Sequence, residues 1–411
     1  MKLKKMKKNC ELCRSQNLIK VLDLGFHPLC DDLILINSKR KNKLYKIEII
    51  FCKKCLTAHQ KYQVKKKVLF PKNYHYRARF TNDVLIGMKN LVSECEKYLG
   101  NINGKTVLDI GCNDGSLLNF FKKKGCVTLG VEPTNAYKDA DRKKHKIYNN
   151  YFDNNVVKSI KKKFKEIDII TFTNVFAHIE DIRKLIKNLK SIISNKTLIV
   201  IENHYMGAIL DNKQFDTFYH EHPRTYSLKS FIYISKLLGL KILKVNFPKR
   251  YGGNIRVTMG QKKRIKVKSL RKKIKSEFNF FKKFKKFEKQ INIWRTKKNK
   301  LIHGLYKKHG RLSAKALPGR ATILIKLLGI NEKIISAVYE KPKSMKIGHY
   351  VPGTRIPIKS DKILFKNIDK EKVILNLAWH LRKEIKNYLK FYNFKGKVVN
   401  ILDNSDFIKT K

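Results

Sequence analysis

Three groups of residues have the types and spacing to do chemistry. The first is a turn, Val107-Leu108-Asp109-Ile110-Gly111-Cys112-Asn113-Asp114-Gly115-Ser116, where an aliphatic run ends in an acidic residue and two glycines before a helical pattern opens. Asp109, Gly111 and Gly115 are spaced D-x-G-x-x-x-G, which differs from the G-x-G-x-x-G of dinucleotide folds. The glycines let backbone approach a ligand. Glu132 ends the next apolar run, Val127 to Val131, 17 residues after Gly115, where a carboxylate can accept hydrogen bonds from both hydroxyls of a ribose. A nucleoside cofactor is the expected ligand.

The second group is a pair of C-x-x-C knuckles, Cys10-Glu11-Leu12-Cys13 and Cys52-Lys53-Lys54-Cys55, separated by 38 residues. Four thiolates complete the tetrahedral shell of a structural Zn²⁺. The spacer exceeds the usual length of about 15 to 20 residues, so an inserted hairpin, with Leu44 to Phe51 as one strand, must bring the knuckles together. A redox use is the lesser reading, because no βαβ pattern surrounds either pair. Cys30, Cys95, Cys112 and Cys126 lack such spacing and read as buried thiols.

The third group is Phe215-Asp216-Thr217-Phe218-Tyr219-His220-Glu221-His222. Its last four residues, a phenol, a carboxylate and two imidazoles, can supply a base of near-neutral pKa, a group to orient it and a donor for a developing oxyanion. A polar turn or a second metal site are the alternatives, and the latter lacks an evident third ligand.

The elements that must position these groups follow from periodicity. Thr81 to Leu99, Ser116 to Lys124 and Asp181 to Ile193 read as helices; Thr106 to Ile110, Val127 to Val131, Ile167 to Phe172 and Thr197 to Glu202 read as strands. Such alternation means a parallel sheet with helices on both faces. Ligands then sit beyond the carboxyl ends of the strands, where Asp109, Glu132, Asn174 and Glu202 fall. From Ile265 to Leu305 the apolar residues Ile274, Phe278, Phe281, Phe284, Phe287, Ile291 and Trp294 recur every three or four, as in a long amphipathic helix laid on the sheet domains. Thr322 to Leu328, Ile334 to Val338, Ile363 and Val373 to Leu377 read as strands of a second α/β domain. The expected layout is 1–72, zinc-binding; 73–260, cofactor-binding; 261–305, connecting helix; 306–411, a further α/β lobe.

With 411 residues and 42% hydrophobic content the chain can build two or three cores. The 93 Lys plus Arg against 32 Asp plus Glu give a formal charge of +61, but the lysines run from end to end and travel with Ile and Asn. That pattern fits compositional drift rather than a clustered nucleic-acid surface. The start, Met1 to Lys8, is basic with no apolar segment behind it, and no run approaches the roughly 20 apolar residues that span a bilayer. A cytoplasmic protein is expected, with no membrane partner and no specific nucleic acid; a monomer is possible and the sequence leaves the oligomeric state open.

The D-x-G-x-x-x-G turn resembles the first motif of class I S-adenosylmethionine-dependent methyltransferases. Over nearly its whole length the chain resembles the three-domain C-methyltransferases of nucleotide-linked keto-deoxysugars. The matching segments, in order, are the zinc knuckles, Leu108 to Gly115, Asn174-Val175-Phe176-Ala177-His178-Ile179, Phe215 to His222, Tyr251-Gly252-Gly253-Asn254-Ile255-Arg256-Val257, and Val351-Pro352-Gly353-Thr354-Arg355-Ile356-Pro357. The resemblance implies a central Rossmann-like methyltransferase domain between a small zinc domain and a C-terminal Rossmann-like α/β domain. It implies S-adenosylmethionine held by Asp109, Gly111, Asn113, Gly115, Glu132 and Asn174, with zinc on Cys10, Cys13, Cys52 and Cys55. A carbon beside a sugar ketone would be deprotonated by His222, oriented by Glu221, and the resulting enolate would attack the cofactor methyl. Tyr219, Tyr76 and His178 would line the sugar pocket and stabilise the enolate oxygen. Two departures leave the sugar open: Tyr74 to Arg79 lacks the Ser-Gly that often follows the pocket tyrosine, and Tyr251 stands where many relatives have His. The C-terminal lobe, whose Ser313 to Thr322 turn is longer than usual, either meets the substrate's nucleotide or only supports. Transfer to oxygen or nitrogen, and a zinc-containing RNA-binding methyltransferase, are the competing functions.

Overall fold

The structure is a computed structural model that describes residues 8–261 and 270–407, with the backbone of Lys4 and Lys5. Most of the basic start, and residues 265–269 of the expected long helix, lie outside the described residues. The chain divides into two compact units that are not consecutive stretches: residues 1–19, 50–209 and 221–281 form the first, and 20–49, 210–220 and 282–411 the second. The chain passes between them inside β1 (Leu18–Pro28) and β2 (Leu44–Cys52), so the strand expected from Leu44 is present.

In the first unit, β3 (Thr57–Gln60) follows the second knuckle. Then come helix α1 (Asn82–Leu99), β4 (Thr106–Ile110), α2 (Ser116–Lys122), β5 (Val127–Val131), β6 (Lys146–Tyr148), β7 (Ile169–Thr173), α3 (Ile182–Lys190) and β8 (Leu198–His204). Beyond them lie β9 (Arg224–Thr225), α4 (Leu228–Leu238), β10 (Lys241–Asn246) and β11 (Asn254–Gly260). The main sheet has the order β10-β11-β8-β7-β4-β5-β6, with β11 antiparallel to both its neighbours and the remaining pairs parallel. Its central strands are buried on both faces, and for that reason β4, β5 and β7 read as nearly unbroken apolar runs. On one face Leu91, Val92 and Cys95 of α1 and Leu117, Leu118 and Phe121 of α2 close over Val107, Ile169 and Val200. Each fully buried Leu or Phe there stabilises by about 1.5–3 kcal/mol. The strand order reverses between β4 and β7, and at that reversal the carboxyl ends leave a crevice.

The second unit is built on a five-stranded parallel sheet. It comprises α5 (Phe280–His309, from Lys282 onward), β12 (Leu312–Lys315), α6 (Ala321–Leu328), β13 (Ile335–Glu340), β14 (Ile358–Ser360), β15 (Val373–Asn376) and β16 (Lys397–Asn400), in the order β14-β13-β12-β15-β16. Two expected strands are helices. Thr322–Leu328 falls in α6, where Ala321, Thr322, Ile323, Leu324, Ile325 and Leu328 are all buried; a helix covered on nearly every side has no amphipathic period and imitates a core strand. Ile363 sits in a helical turn, Asp361–Phe365, that its own Ser360 caps. The long amphipathic helix is broken after Glu277, and the stripe in α5 runs through Phe280, Phe284, Phe287, Ile291 and Trp294, all buried, while Phe278 is exposed. Cys30, Cys95, Cys112 and Cys126 are buried, as expected. Among the described residues no helix is long and apolar enough to cross a membrane.

Candidate active site and zinc centre

The cofactor turn is shaped by residues that tolerate left-handed backbone. Gly111 has φ 76°, and a Cβ there would meet Val175 at 2.5 Å, so only glycine fits. Its N–H donates to the Val131 carbonyl at 2.8 Å. Asn113, at φ 50°, donates its backbone N–H to Glu132 Oε2 at 3.0 Å. Its side chain receives the Ala78 N–H at 3.0 Å and donates to the Tyr76 carbonyl at 3.1 Å. The segment carrying Tyr76 is thereby laced onto the turn. Gly115, at φ 72°, precedes the first turn of α2.

Glu132 is buried at the end of β5, its other oxygen accepting from the Thr134 N–H at 2.9 Å and hydroxyl at 2.6 Å. Burial pushes its carboxyl pKa up, against the pull of those donors. Asp109 lies beneath the turn, where Oδ1 accepts the Thr171 hydroxyl at 2.8 Å, and burial raises its pKa to about 7. It braces β4 against β7. Asn174 (φ 55°) follows β7 and accepts from Asn254 Nδ2 at 3.2 Å. Glu202 is no open carboxylate: fully buried, it meets Arg256 Nε at 2.7 Å, Asn254 Nδ2 at 2.9 Å and the Arg250 guanidinium. Burial alone would raise its pKa, but the charges of Arg256 and Arg250 hold it below the usual range.

Beside this crevice stands a row of rings. Phe70 stacks on His178 at 5.2 Å; His178 and His222 are 5.1 Å apart; His222 and His204 are 5.3 Å apart; His204 meets Tyr251 edge-on at 5.7 Å. The Tyr251 hydroxyl lies 3.2 Å from that of Tyr76. Glu221 and His222 are only 6% and 5% exposed, and the Tyr74 hydroxyl donates to Glu221 Oε2 at 3.4 Å. Lost solvation, then the charge of His222, pushes the His178 pKa well down, so this imidazole is neutral. Lost solvation, then Tyr76, raises the Tyr251 pKa well above the ordinary value, so its phenol keeps its proton.

The first unit thus brings together His178, Glu221, His222 and Tyr76 from the expected set. Tyr219, half-buried, belongs to the second unit, as does His220. His220 Nε2 bonds the Tyr45 carbonyl at 3.1 Å, and burial lowers its pKa to about 4. In the same unit Arg320 and the Trp379 indole claim Asp216. Sequence reasoning missed Tyr74 and His204. The latter ends β8, and following that strand two residues past Glu202 would have found it.

The knuckle thiols converge. Sγ atoms of Cys10 and Cys55 are 3.5 Å apart, as are those of Cys13 and Cys52, and all four lie within 4.8 Å of one another. A tetrahedral ion with Zn–S bonds of about 2.3 Å sets thiolates about 3.8 Å apart, so the set fits. Arg14 and Leu56, each directly after a knuckle, take φ of 66° and 56°, which turns the chain around the thiol pair.

Comparison with known proteins agrees with this geometry. Residues 10–70 match a zinc binding domain, 86–245 a methyltransferase domain and 249–402 a C-methyltransferase C-terminal domain. The chain is 24% identical over 384 residues to the C-methyltransferase NovU of Streptomyces niveus, covering 92% of this chain and 90% of that protein. Among solved structures it is similar to magnesium protoporphyrin IX methyltransferase (ChlM) of Synechocystis PCC 6803 with bound SAH, with 14% identity, a TM-score of 0.35, and coverage of 44% of this chain and 86% of that one. Another is a SAM-dependent methyltransferase of Archaeoglobus fulgidus, with 16% identity, a TM-score of 0.32, and coverage of 42% and 93%. Zinc knuckles, cofactor turn and C-terminal lobe follow one another in the order of these three domain models, and the chain is an S-adenosylmethionine-dependent C-methyltransferase.

Proposed function

We propose that the protein methylates a carbon beside the ketone of a nucleotide-linked keto-deoxysugar, in the cytoplasm, with His222 as the base. The observation that carries this reading is the row His178, His222 and His204 with Glu221 beside it, at the carboxyl ends of β7 and β8 and on the same end of the sheet as the cofactor turn. Bound there, S-adenosylmethionine supplies an electrophilic methyl group. A C–H beside a ketone is a far weaker acid than imidazolium, so a base alone is insufficient and the oxyanion must be stabilised as it forms. His222 takes the proton, Glu221 orients the ring and stabilises its positive charge, and the protonated phenols of Tyr76 and Tyr251 are donors for the enolate oxygen. The neutral His178 has one N–H to give and adds no charge that would oppose protonation of His222. Residues 1–72, 73–260 and 306–411 serve as zinc-binding, methyltransferase and C-terminal domains joined by 261–305.

The test is product analysis with S-adenosylmethionine and a panel of nucleotide 4-keto sugars. We expect a C-methylated product, and His222→Ala should lose about a hundredfold or more in turnover with cofactor affinity intact. In deuterated water the wild type without cofactor should exchange the proton beside the ketone, and the variant should not. A product methylated on oxygen or nitrogen refutes carbon transfer, and wild-type turnover in His222→Ala removes that residue from the mechanism.

A further inference from the structure

Between the thiols of the first knuckle stands a carboxylate that belongs to another network. Glu11 Oε2 meets Arg224 Nη1 at 2.5 Å and receives Gln63 Nε2 at 3.2 Å. Arg224 is fully buried, so its charge depends on this partner. The same guanidinium donates through Nη1 to the Glu180 carbonyl at 3.4 Å and through Nε to the Tyr226 hydroxyl at 3.2 Å. Arg183 grips the knuckle's backbone, donating to the carbonyls of Glu11 (3.0 Å) and Leu12. The second knuckle is tied to the same place: β3 begins two residues after Cys55 and pairs antiparallel with β9, with His59 opposite Arg224, and the Gln60 N–H donates to the Pro223 carbonyl at 2.9 Å. Pro223 follows His222 directly, and Glu180 lies two residues beyond His178.

We infer that the Glu11–Arg224 ion pair is a positioning device, which passes the fixed geometry of the zinc knuckles to the two backbone segments that carry His178 and His222. Neither member bonds to the rings themselves; both act through the chain at 178–180 and 222–224. With Cys10 and Cys13 held on one ion, Glu11 has nowhere to drift. Arg224 then fixes the 5.1 Å spacing of the two imidazoles. The kinetic consequence rests on the role proposed for His222; the structural one does not.

The experiment uses the full-length, zinc-loaded protein with ¹³C-labelled histidine, the signals of the two rings being assigned from His178→Gln and His222→Gln. In Glu11→Gln, and in Arg224→Lys should the first fail to fold, the His178 and His222 signals should move while those of the exposed His303 and His309 stay. Zinc content should be unchanged and the affinity for S-adenosylhomocysteine should stay within about twofold. Turnover should fall about ten- to a hundredfold, as for other groups that orient a site from behind, with little change in the KM for S-adenosylmethionine. Glu11→Asp should restore part of it. Unmoved His178 and His222 signals in a folded variant overturn the inference, and so does an equal shift of every histidine, which reports general loosening. If the wild type methylates no keto sugar while Glu11→Gln still moves the pair, the sugar reading fails and this one stands.

Discussion

Glu132 serves both the shape of the cofactor turn and, in the proposed function, the cofactor itself. Its oxygens already hold Asn113 and Thr134, so it shapes the turn, and Oε2, which accepts only the Asn113 N–H, retains acceptor capacity toward a ribose. Glu132→Ala should weaken S-adenosylmethionine binding by about 1–3 kcal/mol, the usual cost of a lost charged hydrogen-bond partner. Calorimetry showing equal affinity would contradict the assignment. At this scale the sequence was readable where a residue type has few other uses, as with Gly111, whose left-handed backbone and close approach to Val175 leave no room for a Cβ. Residues that serve a remote partner were not readable. Gly87 lies inside α1 because the Arg250 guanidinium occupies the place of a Cβ, 0.7 Å from where that atom would be, and Arg250 in turn neutralises Glu202. Neither Gly87 nor the pairing of Glu202 leaves a local signal, since the contact exists only after β8, β11 and α1 have packed.

Among elements, the knuckles were the most legible, because four cysteines spaced as two C-x-x-C pairs have few uses besides a metal. Purified protein should hold one zinc per chain. Cys52→Ser should lower it below about 0.2 per chain and destabilise the first unit, since a structural zinc site contributes binding energy directly to folding. Unchanged zinc in that variant, measured by elemental analysis, would show that the thiol is not a ligand. Strands buried on both faces were legible for a similar reason, their apolar runs being short and ended by glycine or acid. The same rule misled at α6, where Ile323, Leu324 and Ile325 are β-branched or aliphatic and all buried, and the helix declares itself only through its place after β12. The short strands Leu312–Lys315 and Lys397–Asn400 went unread because a run of four residues carries no period.

Across the whole molecule, pH should test the fold severely. His27, His145 and His220 are buried, and burial lowers each pKa from 6.5 to about 4. Each spends one ring nitrogen on a bond, to the Leu24 carbonyl at 2.7 Å, the Thr128 hydroxyl at 2.8 Å and the Tyr45 carbonyl at 3.1 Å. Between pH 6.5 and 4 the unfolded chain therefore binds three protons that the folded chain refuses. Their contribution is fully present above pH 6.5 and is lost as pH falls toward 4, about 3 kcal/mol for each group. Asp109, raised to about 7, and Glu132, also raised by burial, work in the opposite sense, while the lowered His178 adds to the three. Three losses of about 3 kcal/mol each, less an opposing gain of similar size at Asp109, leave a net loss on the order of 6 kcal/mol, comparable to the whole stability of an ordinary domain. The formal charge of +61 adds in the same direction, because every further proton increases self-repulsion. Urea titrations at pH 7.5, 6.5 and 5.5 should show unfolding free energy falling steeply below 6.5, and His145→Gln should flatten that slope by about one proton. Stability that holds constant or rises from pH 7 to 5 would mean these imidazoles are solvated in the native state, and would contradict the packing described for both units.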